Sequence, residues 1–118
     1  MPQTVVVVDD HAGFRVHAAE MLEAAGFAVV GSCADGRSAL AAITDLRPDV
    51  VLLDVQMPDL DGFAVLARLD AAARGRVVLV STREQSDYGN RVRDSGAAGF
   101  ITKGDLSPAT VARAVPGP

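Results

Sequence analysis

Apolar blocks alternate with amphipathic stretches along the whole chain, about five times over. The first block, residues 4–8, is β-branched and ends abruptly at Asp9-Asp10. Residues 14–25 follow, with Phe14, Ala18, Met21, Leu22 and Ala25 at helical spacing, and Gly26 stops that helix. Residues 27–33 read as a second strand. Asp35 and Ser38 can cap a helix running to Leu46, whose buried stripe is Ala39, Leu40, Ile43 and Leu46, and Pro48 prevents its extension. Residues 50–53 form an unbroken apolar run, the mark of a strand buried on both faces, and it ends in Asp54. Residues 55–62 are a turn-rich loop containing Pro58, Asp59, Asp61 and Gly62. The spacing then predicts a helix over 63–73, broken at Gly75, and a fourth strand over 76–80 that ends in Ser81. A weak helix over 86–95 is stopped by Gly96. A fifth strand over 97–102 ends just before Lys103. Ser107 caps a short last helix to Val115, and Pro116-Gly117-Pro118 closes the chain.

Strands alternating with helices through short connections predict an α/β fold with a parallel sheet. There is no internal repeat, low-complexity segment or interdomain linker. The length, 118 residues, fits one domain. A net charge of −4 with no basic run argues against direct nucleic-acid binding. No apolar stretch reaches the roughly 18 residues of a membrane span, and the N-terminus lacks the basic and apolar regions of a secretory signal. A lone cysteine, Cys33, allows neither an internal disulfide nor a zinc cluster, which fits a reducing cytoplasm.

Two composition biases change the picture. Of 15 acids 12 are Asp, and among 11 cations the single lysine is Lys103. Ligands of an open parallel sheet bind at the carboxyl ends of its strands. The first strand there carries Asp9 and Asp10, the third Asp54, the fourth Ser81, and the fifth runs into Lys103. Carboxylates at about 4 Å repel by roughly 4 kcal/mol per pair at an effective dielectric near 20, so such a cluster calls for a cation. Oxygen ligands with room for water suit Mg²⁺. Three aspartates and one lysine carry about −2, which Mg²⁺ neutralises, and the pocket can then receive a phosphoryl group. One aspartate could act as nucleophile, with Ser81 donating to a phosphoryl oxygen.

These residues resemble the response-regulator receiver domain of two-component signalling, the CheY-like family. The matching pieces are Val8-Asp9-Asp10-His11, Leu53-Asp54-Val55-Gln56-Met57-Pro58 with Asp61-Gly62, Val80-Ser81-Thr82, and Gly99-Phe100-Ile101-Thr102-Lys103. They follow the family order and span nearly the whole chain. The resemblance implies a flavodoxin-like (βα)5 sandwich with a five-stranded parallel sheet in order 2-1-3-4-5. It implies that Asp54 is the phosphoacceptor, and that Asp9 and Asp10 organise Mg²⁺ together with Asp54, Asp10 being the more direct ligand. The Gln56 carbonyl would join them. Ser81 is then the switch hydroxyl, Phe100 the aromatic that changes rotamer, and Lys103 the contact to the phosphoryl group. The implied donor is a phosphohistidine on a sensor histidine kinase. The resemblance implies that the receiver catalyses only its own phosphorylation and dephosphorylation and is not expected to be otherwise an enzyme.

His11 and the Leu106-Ser107 pair resemble the NarL/LuxR-type branch, in which a DNA-binding output domain follows. Residues 1–118 are therefore expected to be one receiver domain, either stand-alone or a piece of a longer regulator, working with a downstream output domain or protein. A homodimer is compatible with the resemblance. Gly104 departs from the family's common proline after the lysine. The helix after strand four contains Gly89 and Asn90 and has few apolar anchors, chiefly Tyr88 and Val92, so it is expected to move easily. Phosphorylation should draw Ser81 inward, free space for Phe100, and shift the face formed by that helix, the fifth strand and the last helix.

Three other functions fit the residues less well. A pseudo-receiver that only binds protein conflicts with intact Asp9, Asp10, Asp54, Ser81 and Lys103. A Mg²⁺-dependent phosphatase with an aspartyl nucleophile usually carries a second acid two residues on, where this chain has Gln56, and no insertion is long enough for a cap. A flavin- or dinucleotide-binding module needs a glycine- or hydroxyl-rich loop where this chain has Asp9-Asp10. Asp59 and Asp61 read as turn formers, Cys33 as a small buried residue, and His11 and His17 as surface polar groups.

Overall fold

The computed structural model describes residues 2–116; Met1, and Gly117 and Pro118 of the closing Pro-Gly-Pro, lie outside the described residues. Five strands, β1 (Thr4–Val8), β2 (Ala28–Cys33), β3 (Val50–Asp54), β4 (Val77–Ser81) and β5 (Gly99–Thr102), pair in parallel in the order β2-β1-β3-β4-β5. The connecting helices are α1 (Ala12–Ala24), α2 (Gly36–Leu46), α3 (Gly62–Ala67), α4 (Ala71–Arg74), α5 (Arg91–Asp94) and α6 (Pro108–Ala114). This is the α/β, flavodoxin-like architecture expected from the sequence.

Side chains alternate across a strand, so an unbroken apolar run feeds two cores at once. Val5, Val7, Val50, Leu52, Val78 and Val80 pack on one face against Ala18 and Leu22 of α1 and Val111 of α6. Val6, Val8, Val51, Leu53, Val77 and Leu79 pack on the other against Ala39 and Ile43 of α2, Val65 and Leu66 of α3, and Val92 of α5. Cys33 belongs to this second core and its thiol is free. Among the described residues no helix is long and apolar enough to cross a membrane.

Two helices expected to be continuous are broken. The stretch over 63–73 becomes α3 and α4, because the Asp70 carboxylate accepts a hydrogen bond from the Ala73 amide at 2.8 Å and starts a new helix. The stretch over 86–95 becomes a single 3₁₀ turn, Gln85–Tyr88, followed by α5. Gly89 lies between them at φ +59°, a left-handed conformation that glycine adopts without steric cost. Smaller differences fall at boundaries: α1 starts two residues early, and β5 starts at Gly99 rather than at residue 97.

Candidate functional site

The strand register brings the chemistry together. Val8 pairs with Leu53, so Asp9, the next residue, lies level with Asp54. Asp54 pairs with Val80 and Ser81 with Thr102, so Ser81 and then Lys103 follow as neighbours along the same carboxyl edge. The amide of Asp9 donates to the Cys33 carbonyl at 3.0 Å, and the amide of Val55 to the Val80 carbonyl at 3.0 Å. These bonds extend the ladder past the strand ends and hold the loops that carry the acids.

Asp9 and Asp54 are buried, at 0% and 4% exposure, and Asp10 stands at the rim. Lys103 Nζ lies 2.6 Å from Asp9 Oδ2 and 3.9 Å from Asp54 Oδ2. The short contact makes Lys103 the counter-ion of a fully buried carboxylate oxygen. The ammonium also sits 4.4 Å above the Phe14 ring, which walls the pocket. Lys103 begins a 3₁₀ turn, Lys103–Asp105, with Gly104 in its middle, and no cis peptide occurs among the described residues.

Burial pushes the Asp54 carboxyl up to about 6, and the neighbouring Asp9 charge adds to it. Lys103 and the Gln56 backbone amide offset part of that rise. Gln56 itself is exposed in the β3–α3 loop. Behind Asp54 the backbone is tightly packed: a Cβ on Gly62 would come 2.9 Å from the Asp54 carbonyl and 3.1 Å from the Val55 Cα. Asp61 caps α3 through the Ala64 amide, while Asp59 accepts from the Gly36 and Arg37 amides at the start of α2. Those backbone bonds hold the Asp59 carboxyl down at about 2.

Ser81 Oγ is 2.7 Å from the Tyr88 hydroxyl and accepts from the Arg83 amide at 3.0 Å. Phe100 is half-buried and packs at 5.8 Å, tilted, against Tyr88.

One residue of the cluster escaped the sequence reading. His11 Nδ1 lies 3.1 Å from Asp9 Oδ1 and 3.0 Å from Asp10 Oδ1. Both neighbours are acceptors, which assigns the proton to Nδ1. Ligand atoms of Asp9, Asp10, His11 and Asp54 all fall within 4.8 Å of one another. The signal was adjacency alone, since His11 directly follows two acids at a strand end. Arg15 was missed as well; its guanidinium donates to the Asp9 carbonyl at 2.6 Å and pins the turn.

Residues 5–114 match the response regulator receiver domain family. The chain belongs to that family. The receiver is 33% identical over 113 residues to the transcriptional regulatory protein PdtaR of Mycobacterium tuberculosis, covering 92% of this chain and 55% of PdtaR. It thus spans about half the length of that curated relative. Among solved structures, the signal receiver domain of NarL from Mycobacterium tuberculosis superposes with a TM-score of 0.80 at 37% identity, over 97% of this chain and 93% of that one. The CheY of Borrelia burgdorferi, solved with CheX, BeF₃ and Mg²⁺, superposes with a TM-score of 0.84 at 26% identity, over 98% and 87%.

Proposed function

We propose that this receiver takes a phosphoryl group from a sensor histidine kinase onto Asp54 and uses it to switch an output. The observation that carries the reading is a cluster at one sheet edge: three aspartates within ligand distance of each other, with the chain's only lysine 2.6 Å from Asp9 and 3.9 Å from Asp54. Such a site repels a phosphoryl group until a cation enters. The donor set fits Mg²⁺, because it is mostly carboxylate oxygen, from Asp9, Asp10 and Asp54, gathered within 4.8 Å. Asp9, Asp10, Asp54 and the Gln56 carbonyl would hold the ion, which supplies charge neutralisation at the phosphoryl oxygens. His11 competes with it for Asp9 and Asp10.

The chemistry of the chain's own groups follows. An Asp54 carboxylate oxygen attacks phosphorus, the P–N bond of the donor phosphohistidine breaks, and its electron pair leaves with the imidazole. Lys103 meets the charge on the transferred group, and Ser81 donates to one of its oxygens. Water later attacks the acyl phosphate and restores Asp54. The catalytic work is confined to this self-modification and its reversal. Phosphohistidine is made from ATP, so this reading puts the receiver in the cytoplasm. Residues 1–118 act as one receiver domain, and the output lies in a further domain or a separate protein. Gln56, in place of a second acid, disfavours a free-standing phosphatase.

The test is incubation with acetyl phosphate and Mg²⁺, followed by intact mass measurement. One added phosphoryl group is expected, absent in Asp54→Asn and absent in chelator. An unmodified wild-type protein, or an adduct that survives in Asp54→Asn, would overturn the assignment.

A further inference from the structure

We propose that Tyr88 is a latch on the switch serine: its hydroxyl holds Ser81 Oγ in the resting state, and Ser81 gives up that bond when it turns to a phosphoryl group on Asp54. The inference deepens the function proposed above and rests on it.

A serine hydroxyl has one proton and two acceptor positions. In the receiver two partners fix its direction, the Arg83 amide at 3.0 Å and the Tyr88 hydroxyl at 2.7 Å. Neither is Asp54, and among the described residues Ser81 makes no side-chain hydrogen bond into the acidic pocket. The latch takes the arrangement in which Ser81 donates its single proton to Tyr88 while accepting from Arg83; serving a phosphoryl oxygen then takes that proton away from Tyr88.

Phe100, the aromatic on β5, has no hydroxyl and cannot hold Ser81 itself. Tyr88 stands between it and α3 instead. The Tyr88 ring packs edge-on against Phe63 at 5.6 Å and tilted against Phe100 at 5.8 Å. Arg91 of α5 lies 4.1 Å over the Phe63 ring and 3.9 Å from Asp61 in the β3–α3 loop. One hydroxyl contact thus joins the phosphoryl edge of the sheet to an aromatic row spanning α3, the 3₁₀ turn and β5.

The carrier of Tyr88 is easy to displace. It sits on a single 3₁₀ turn with no buried residue, followed directly by Gly89 at φ +59°. Few buried contacts give an element low local stability. Releasing the hydroxyl lets this turn move with Phe100, and the movement has a named trigger.

The experiment measures the affinity of the receiver for beryllofluoride with saturating Mg²⁺ by calorimetry, in wild type, Tyr88→Phe, Ser81→Ala and the double variant. Tyr88→Phe keeps the ring between Phe63 and Phe100 and removes only the hydroxyl. It is expected to bind about fivefold more tightly, the worth of one net hydrogen bond. In the Ser81→Ala background the same change should have no effect. A wild type that fails to bind would overturn the Asp54 reading and the latch with it. A wild type that binds, with Tyr88→Phe unchanged or weaker, overturns the latch alone, as does an equal gain in both backgrounds.

A second readout uses the free protein. Tyr88 is the sole tyrosine and there is no tryptophan, so intrinsic emission reports on this hydroxyl. Ser81→Ala should change that emission, and an unchanged spectrum would show that the contact does not exist in solution.

Discussion

Asp54→Asn should make the receiver more stable at neutral pH even as it removes the proposed phosphoacceptor. Asp54 is 4% exposed and burial beside Asp9 raises its carboxyl from 3.8 to about 6. A raised carboxyl in the folded state means that the native protein holds its proton where the unfolded chain has lost it. Stability therefore falls as pH rises from about 4 to about 6, and the deficit is fully present above that window. At about 1.4 kcal/mol per pH unit, a rise of this size costs the fold up to about 3 kcal/mol at pH 7.5. Asparagine has the same shape and no charge. Lys103 keeps its short contact to Asp9 and loses only the longer one to Asp54. The expected gain is about 1–3 kcal/mol, which raises the melting temperature by roughly 4 °C per kcal/mol in a chain of this size. The assay is thermal and urea unfolding in chelator between pH 4 and 8, for both proteins. The two curves should meet near pH 4 and separate above pH 6, and Mg²⁺ should stabilise wild type more than the variant. An Asp54→Asn protein no more stable at pH 7.5, or equally stabilised at pH 4 and 7.5, would refute the reasoning.

Three further perturbations probe the pocket's other parts. Lys103→Met leaves the buried Asp9 carboxylate without its counter-ion and should destabilise the fold by about 3–5 kcal/mol in chemical denaturation at neutral pH; a loss under ~1 kcal/mol would contradict the pairing. Gly62→Ala drives a methyl group to 2.9 Å from the Asp54 carbonyl and should cost about 1–3 kcal/mol, together with slower phosphoryl uptake, because the strand end must shift. His11→Ala removes a competitor for Asp9 and Asp10 and should tighten Mg²⁺ binding by up to about fivefold, a modest effect because the ring is mostly exposed; calorimetry showing weaker binding would make His11 a ligand rather than a competitor.

Much of the pocket was legible because parallel strands advertise themselves. Residues buried on both faces read as unbroken Val and Leu runs, and their ends are abrupt, so the sequence alone assigns Asp9, Asp54, Ser81 and Lys103 to one sheet edge. Whether they met there depended on register, which hydrophobic runs of equal depth do not encode. The two helix breaks were harder to read. Asp70 interrupts an otherwise helical pattern through one side-chain bond to the Ala73 amide, and Gly89 through a left-handed backbone; neither alters the apolar spacing around it. The contacts of His11 and Tyr88 were illegible for a further reason. His11 faces Asp9 and Asp10 only because the β1–α1 turn curls back, pinned by Arg15. Tyr88 showed in the sequence as an apolar anchor, which its ring is, while its hydroxyl partner seven residues earlier depends on the shape of the loop between them. A tyrosine packed into a core edge does carry one general signal, that its hydroxyl needs a partner.

In the proposed reaction Asp54, and no other carboxylate of the cluster, receives the phosphoryl group. Borohydride reduces an acyl phosphate to an alcohol and so converts a phosphorylated aspartate into homoserine. Peptide mapping of the receiver after acetyl phosphate, Mg²⁺ and borohydride is therefore the most direct measurement. Homoserine is expected at position 54 and intact aspartate at positions 9 and 10. Homoserine at Asp9 or Asp10, or none anywhere in a protein that has gained phosphate, would contradict it.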